Sequence, residues 1–397
     1  MAITREAGVT AAQGFAAAGI AAGIKDGNKK DMALVVNTGD DLTAAGVFTT
    51  NKFQAAPVAW SRDVLARHTV RAVVLNSGGA NACTGTQGLA DAAQEATALS
   101  EALSGQGFPT QQNQIAVCST GVIGDLLPMD KILAGIRQLP TQLGSSATHG
   151  KDAAAAIMTT DTVAKYSEMT TDNGWTVGGM VKGAGMIAPS LATMLCVITT
   201  DVAAPADELE SALRYATAHT FDRLDVDGST STNDTVIVLA NGASGQSANQ
   251  DELREALFAV CDDLVDQMMS DAEGVTKCCL ITVTGAASEE EALTAARVVA
   301  RDNLVKTALF GEDPNWGRVL ATLGVAPVDM DVDQVVVAFN SKPVFANGRG
   351  LPDARSINMK GPRINVDIDL GVGSAEATIR TTDLSHAYVE INSAYTT

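Results

Sequence analysis

The sequence predicts a mixed α/β fold built from layered sheets, and three observations carry that reading. Short β-rich runs alternate with amphipathic helices, but without the strict βαβα order of a doubly wound sheet. The run Arg363–Leu370 sets Ile364, Val366, Ile368 and Leu370 against Asn365, Asp367 and Asp369, the signature of an antiparallel strand with one wet face. Aromatic residues are only 4% of a 397-residue chain that carries 36 glycines, so small side chains let the backbones pack closely. Neither a repeat of fixed period nor a low-complexity linker interrupts this pattern.

Taken in order, the apolar stretch Ala11–Ile24 has the length of a signal-peptide core. It contains Gln13 and follows Arg5 beside Glu6, a poor basic flank, so a targeting role is not favoured. Strands are expected at Ala33–Asn37, Gly46–Thr49, Ala72–Asn76, Ile115–Ser119, Thr176–Val181 and Met194–Thr199. Further strands are expected at Thr235–Leu239, Leu280–Val283, Gln334–Phe339 and Arg363–Leu370. Apolar residues at three- and four-residue spacing predict helices at Leu89–Leu103, Lys131–Leu139, Asp207–Thr220, Asp251–Met269 and Glu289–Val305. Ser288 before Glu289, Glu290 and Glu291 supplies a cap and an acidic first turn. Chain breaks are expected at Thr141–Ser146 and in the glycine-rich Gly178–Pro189.

The charge balance is 27 Lys and Arg against 46 Asp and Glu, a net −19. Such a surface repels phosphate backbones and anionic lipid, so neither nucleic acid nor membrane is an expected partner. A small anionic substrate remains compatible with it, because one placed Lys or Arg reverses the local field. No apolar run reaches the ~20 residues of a bilayer span. The six cysteines (Cys83, Cys118, Cys196, Cys261, Cys278 and Cys279) form no C-x-x-C pair, the usage of a reduced, cytoplasmic protein.

Several familiar chemistries lack support. The four histidines (His68, His149, His219 and His386) have no ligand-spaced partner, so no metal is expected. Asp222–Asp227 followed by Gly228 is similar to a cation loop but lacks its alternating ligands, which favours a turn held by Asx hydrogen bonds. No G-x-x-x-x-G-K-[ST] loop is present. Gly183, Gly185 and Ala188 satisfy G-x-G-x-x-[GA], yet Pro189 and a β-prone run follow where a dinucleotide motif needs a helix. Ser77 lies in a strand-ending Asn76-Ser77-Gly78 with no identifiable histidine, so a Ser-His-Asp triad is not favoured.

One segment does support chemistry. In Lys182-Gly183-Ala184-Gly185-Met186-Ile187-Ala188-Pro189-Ser190-Leu191-Ala192-Thr193-Met194-Leu195, glycines and a proline shape a turn, and a small residue stands before a hydroxyl residue. That order suits an internal acyl shift: the Thr193 hydroxyl attacks the Ala192 carbonyl, and water resolves the ester. The freed α-amine, with an ordinary pKa near ~7.7–8.0, then sits beside its own hydroxyl as a general base. Spacing alone equally allows Thr193 to be a plain β-former.

The same stretch resembles the self-cleavage signature of the ornithine acetyltransferase (glutamate N-acetyltransferase) family. Further blocks are similar in the same order: Gly19–Lys25, Ala55–Val58, Asn76–Gly78 through Ala80–Gly85, Ser119–Gly124, Met158–Thr162, Ser231–Thr235, Gly311–Arg318 and Glu390–Tyr395. The resemblance implies a layered α-β-β-α sandwich related to β-aminopeptidases, an autoprocessed enzyme of the N-terminal-nucleophile type. It implies cleavage between Ala192 and Thr193 into an α chain of residues 1–192 and a β chain of residues 193–397. Thr193 would be nucleophile and acetyl carrier, with the Thr120 hydroxyl and Gly121 amide as oxyanion hole. Substrate would be held by Thr159, Lys182, Thr193, Glu273, Asn392 and Thr397.

Read alone, these residues are ordinary: Thr120-Gly121 a strand-to-loop turn, Lys182 a solvated strand end, Glu273 a surface acid at a helix end, Asn392 and Thr397 part of a frayed tail. The implied reaction carries acetyl from N-acetylornithine to glutamate by a ping-pong route in cyclic arginine biosynthesis, with no cofactor and acetyl-CoA as a second candidate donor. The implied assembly is a heterotetramer of two α and two β chains. The sequence departs from the usual blocks at Gly79, Ser190 and Ser229, which touches substrate preference and cleavage rate and leaves the reaction class standing. Two rivals stay open at this point: a self-cleaving aminopeptidase or amidohydrolase of the same fold, and a non-catalytic amino-acid-binding protein.

Overall fold

The structure is a computed structural model describing residues 2–188 and 194–394. The described residues form three sheets. The first has six strands, β1 (Ile3–Thr4), β4 (Ala44–Phe48), β7 (Lys165–Thr170), β8 (Thr176–Lys182), β9 (Leu195–Thr200) and β10 (Thr235–Ala240), in the order β1-β7-β8-β9-β10-β4. The second has four, β2 (Phe15–Ile20), β3 (Met32–Asn37), β5 (Ala72–Gly79) and β6 (Ile115–Val122), in that spatial order. The third comprises β11 (Cys278–Ala286), β12 (Val336–Phe339), β13 (Lys342–Ala346), β14 (Arg349–Gly350), β15 (Arg363–Asp369) and β16 (Ala375–Thr382). Among the described residues ten α-helices accompany them: α1 (Ala56–Leu65), α2 (Gly85–Gly105), α3 (Met129–Gln138), α4 (Ala147–Ala156), α5 (Ala206–His219), α6 (Gln250–Ser270), α7 (Glu289–Arg301), α8 (Asn303–Phe310), α9 (Trp316–Leu323) and α10 (His386–Ala394).

Side-chain alternation stacks the first two sheets into four layers. Successive side chains of a strand point to opposite faces. Cys196, Ile198, Val236 and Val238 therefore pack outward with Leu209 and Leu213 of α5 and Leu257 and Leu264 of α6. Leu195, Val197, Ile237 and Leu239 face Val35, Val73, Leu75 and Ala116 of the second sheet. The opposite face of that sheet, with Leu34, Val74 and Val117, is covered by Leu99 of α2 and Ile132 of α3. The result is an α-β-β-α sandwich, as expected. The third sheet has its own core with α7, α8 and α9, in which Ile281, Val366 and Ile379 meet Val299, Leu309 and Leu323.

Several sequence readings need correction. The expected break at Gly178–Pro189 is, over its first five residues, the end of the buried strand β8. The stretch Ala11–Ile24 contains β2, paired with β3 and largely buried. The expected helix Glu289–Val305 divides at Asp302, whose backbone is extended and whose carboxylate accepts the Val305 amide at 2.8 Å to cap α8. Strand β15 has the anticipated alternating burial, but it runs antiparallel only to β12 and parallel to β11. Strands β8 and β9, on either side of the expected cleavage point, are antiparallel neighbours with Lys182 opposite Leu195.

Candidate active site

The ends of the two facing sheets converge on one cavity. The C-terminal ends of β5 and β6, which run parallel, meet the end of β8 and the starts of β9 and β10. The cavity encloses about 600 Å³ opening to solvent, and its lining includes Thr120, Gly121, Thr159, Lys182, Glu273 and Asn392. All six are residues that the sequence resemblance singles out, although they are spread over more than two-thirds of the chain. The remaining ones, Ala192, Thr193 and Thr397, lie outside the described residues. Described backbone resumes at Met194, beside the Leu195–Lys182 pair.

Each wall is fixed by identifiable bonds. Thr120 and Gly121 close β6, where Gly121 pairs with Gly78 and has φ 131°. A Cβ on Gly121 would stand 2.6 Å from the carbonyl carbon of Gly78 and the nitrogen of Gly79, so only glycine fits. Asn233, just before β10, ties the sheets together by donating from Nδ2 to the Ala80 carbonyl at 2.6 Å and the Ser119 carbonyl at 2.8 Å. Ser119 in turn donates to Asn76 Oδ1 at 2.6 Å. The Thr120 hydroxyl has no hydrogen-bond partner among the described residues, which leaves it available to the cavity. Ser77, by contrast, spends its hydroxyl on the Ala156 carbonyl at 2.6 Å.

Lys182 is 1% exposed, so the solvated-lysine alternative is overturned. Among the described residues its ammonium has no acceptor within hydrogen-bond distance, and Asp161 Oδ2 lies 3.9 Å away. Burial pushes the Lys182 ammonium below the usual lysine range, Asp161 opposes that fall, and Lys165 adds to it. A buried cation without a bonded anion is costly unless a ligand completes it.

Across the cavity, Glu273 accepts a hydrogen bond from Asn392 Nδ2 at 2.8 Å, which joins α10 to this wall. Its own amide donates to the Ala184 carbonyl at 2.8 Å. Gly185 permits the approach, since a Cβ there would fall 2.4 Å from the Glu273 carboxyl.

Residues without an assigned role in the sequence reading support these walls. Asp234 is fully buried and accepts the Met194 amide at 3.0 Å through Oδ1, while Oδ2 has no hydrogen-bond partner among the described residues. Burial raises its carboxyl well above the usual range, against the Met194 amide, the Lys182 charge and Ser231. Asp227 accepts the amides of Met186 at 2.8 Å and Ile187 at 2.9 Å. Burial lifts it to about 6 against the opposing amides of Ser229, Ile187 and Met186.

The acidic loop is thus a backbone clamp with Asx turns at Asp225 and Asp227. Among the described residues, no group of three or more His, Cys, Asp and Glu side chains is placed to hold a metal. Residues 183–188 are non-helical, so the glycine pattern there lacks the helix a dinucleotide requires. The motif block Ser231–Thr235 was the signal for Asp234, and the acidic run Asp222–Asp227 for Asp227, but spacing could not show which side chains touch.

An ammonium and a carboxylate facing one small cavity can hold the two charged ends of an amino acid, and an unbonded hydroxyl near a strand end can meet a developing negative charge. The fold and site are those of an enzyme handling small charged substrates. Comparison with known families narrows the class: residues 16–397 match the ArgJ family, and the chain belongs to it.

It is 59% identical over 393 residues to a Mycolicibacterium paratuberculosis protein described as arginine biosynthesis bifunctional protein ArgJ, covering 99% of this chain and 97% of the relative. A Bifidobacterium longum protein of the same description is 51% identical, with 98% and 99% covered. The solved structure of ornithine acetyltransferase complexed with ornithine from Mycobacterium tuberculosis is 52% identical, covers 49% of this chain and 99% of that one, and has a TM-score of 0.47.

Proposed function

We propose that the protein is a glutamate N-acetyltransferase of arginine biosynthesis, an autoproteolytic acyltransferase moving acetyl from N-acetylornithine to glutamate. The carrying observation is the meeting of Lys182, Glu273 and the Thr120–Gly121 strand end in one cavity, next to the point where the chain resumes after Thr193. The names of the ArgJ relatives support the pathway.

In this reading Thr193, freed by cleavage after Ala192, attacks the acetyl carbonyl. Its hydroxyl proton passes to its own α-amine. The oxyanion is held by the Thr120 hydroxyl and Gly121 amide, a donor set whose members are each worth roughly 3–4 kcal/mol. The amide C–N bond breaks, the leaving nitrogen takes the proton, and ornithine departs. The α-amine of glutamate then attacks acetyl-Thr193, and N-acetylglutamate leaves as the hydroxyl is restored. Lys182 pairs with the substrate carboxylate, Glu273 with an ammonium, and Thr159, Asn392 and Thr397 complete the binding shell. Acetyl-CoA as second donor, the heterotetramer of two α and two β chains, and a cytoplasmic place belong to the same reading. No described helix is long and apolar enough to cross a membrane.

The decisive experiment is Thr193→Ala. It is expected to leave an intact, inactive 40.8 kDa chain, whereas Thr193→Ser keeps part of both cleavage and transfer. Normal turnover by the Ala variant would overturn the assignment. Ornithine release that proceeds equally well without added glutamate would instead point to a hydrolase.

A further inference from the structure

Asp161 stands at the centre of a buried charge cluster behind the cavity. It is 8% exposed, and Lys165 beside it is 0% exposed. Its Oδ1 accepts from Lys165 Nζ at 2.7 Å and from the Gly183 amide at 2.8 Å. Its Oδ2 accepts from the Thr159 amide at 3.0 Å and lies 3.9 Å from Lys182 Nζ. One carboxylate therefore fixes the backbone at both Thr159 and Gly183.

The two lysines beside it are treated differently. Lys165 is saturated, since it also reaches Asp271 at 2.5 Å, and Asp271 is itself bonded to the Thr162 amide at 3.0 Å. Lys182 stays close enough to feel the charge of Asp161 and too far to be consumed by it.

We infer that Asp161 is a positioning residue for substrate recognition, holding Lys182 protonated and unbonded so that its ammonium can take the carboxylate of the incoming amino acid. This rests on the reading of Lys182 as the carboxylate partner. The charges that act on Lys182 are Asp161, Lys165, Asp234 and Glu273. Lys25 adds a further positive charge nearby and is held to the Met158 carbonyl at 3.0 Å. Of these, Asp161 is the largest influence that favours the charged form. Asp161 is itself suited to remain an anion. Burial would raise its carboxyl, yet the charges of Lys182 and Lys165 and the bonds from Lys165 and Thr159 carry it down to about 2.

The test is the pH dependence of KM for glutamate, measured between pH 7 and 9 on the full cleaved enzyme. In the unaltered protein KM stays level to within about threefold, because Lys182 keeps its proton; a tenfold rise by pH 8 would overturn the proposal without any variant. Asp161→Asn is expected to raise KM roughly tenfold or more across that interval as Lys182 loses its proton, one unit of pKa being tenfold in the charged fraction. At pH 7, kcat at saturating substrate should change less. Asp161→Glu, which keeps the charge, should restore a level profile at a higher KM.

A purely structural role would lower the folded fraction, read by thermal melting, and leave KM parallel to the unaltered profile; that result overturns the inference. Lys182→Ala separates the two readings, since it should raise KM about 10–100-fold at every pH. If it does not, the carboxylate reading fails; if it does and Asp161→Asn shows no pH slope, the role of Asp161 alone fails.

Discussion

The two-sheet sandwich and the third sheet divide the work of the molecule. In the third sheet, β15 alternates buried and exposed residues along its length, and its charges sit on the open face above an apolar core. In the sandwich, β9 and β10 are buried on both faces, and Lys165, Lys182, Asp161 and Asp234 are buried at the strand ends. A buried charge costs several kcal/mol unless paired. The third sheet satisfies its own, Lys277 with Glu312 and Lys306 with the Thr382 carbonyl, whereas in the sandwich Lys182 has no acceptor within hydrogen-bond distance among the described residues. In the proposed reading the third sheet stabilises and the sandwich recognises. The two meet through Glu273, between α6 and β11, and through α10 after β16.

The largest test of that division is Gly121→Ala. The added carbon collides with the backbone of Gly78 and Gly79, so the melting temperature should fall, and it displaces an expected oxyanion donor, so kcat per folded molecule should fall about 100-fold or more. An unchanged kcat per folded molecule, with only the melting temperature lowered, would show that the strand end is as structural as the third sheet.

Next comes Val366→Ala, in the third core. It should cost about 2 kcal/mol in stability, read by denaturant titration, while kcat per folded molecule stays put. A matching loss of kcat would erase the distinction.

The last test, read only as a change with pH, concerns the Asp227 clamp on Met186 and Ile187. The Asp227 carboxyl titrates at about 6 in the native protein and near ~3.9 when unfolded. The native state therefore holds its proton more tightly, and stability falls as pH rises from about 4 to 6 and remains lower above that. Asp227→Asn should remove this fall, so the variant gains on the parent by about 2 kcal/mol from pH 4 to pH 7 in paired unfolding curves. A difference that does not vary with pH would show that Asp227 titrates normally.

Much of the fold was legible because apolar runs and periodicity report burial. The starts of β6 at Ile115 and β10 at Thr235 coincide with the expected positions. Strand β7 escaped because Lys165, Ser167 and Glu168 are polar yet buried, which erases the hydrophobic signal. Strand β2 escaped because Phe15–Ile20 is mostly Ala and Gly, compatible with strand, helix or leader. Helix α4 is equally small-sided, and α8 was hidden by an interior Asp302 that turns out to be a cap.

For the site, motif order singled out the six residues that line the cavity, whereas spacing alone did not. The Asp161 cluster was beyond reach, because its partners at 159, 165, 183 and 271 meet only through side-chain geometry across sheet edges.

The pairing of β8 with β9 has a consequence for reversibility. A cut between Ala192 and Thr193 severs the link between two strands that stay hydrogen-bonded from Val177–Thr200 to Lys182–Leu195. Scission would release nothing at once, yet a nicked molecule that has been melted must find its other fragment by diffusion. Recovery would then become second-order in concentration, while the intact Thr193→Ala chain refolds at a rate independent of dilution.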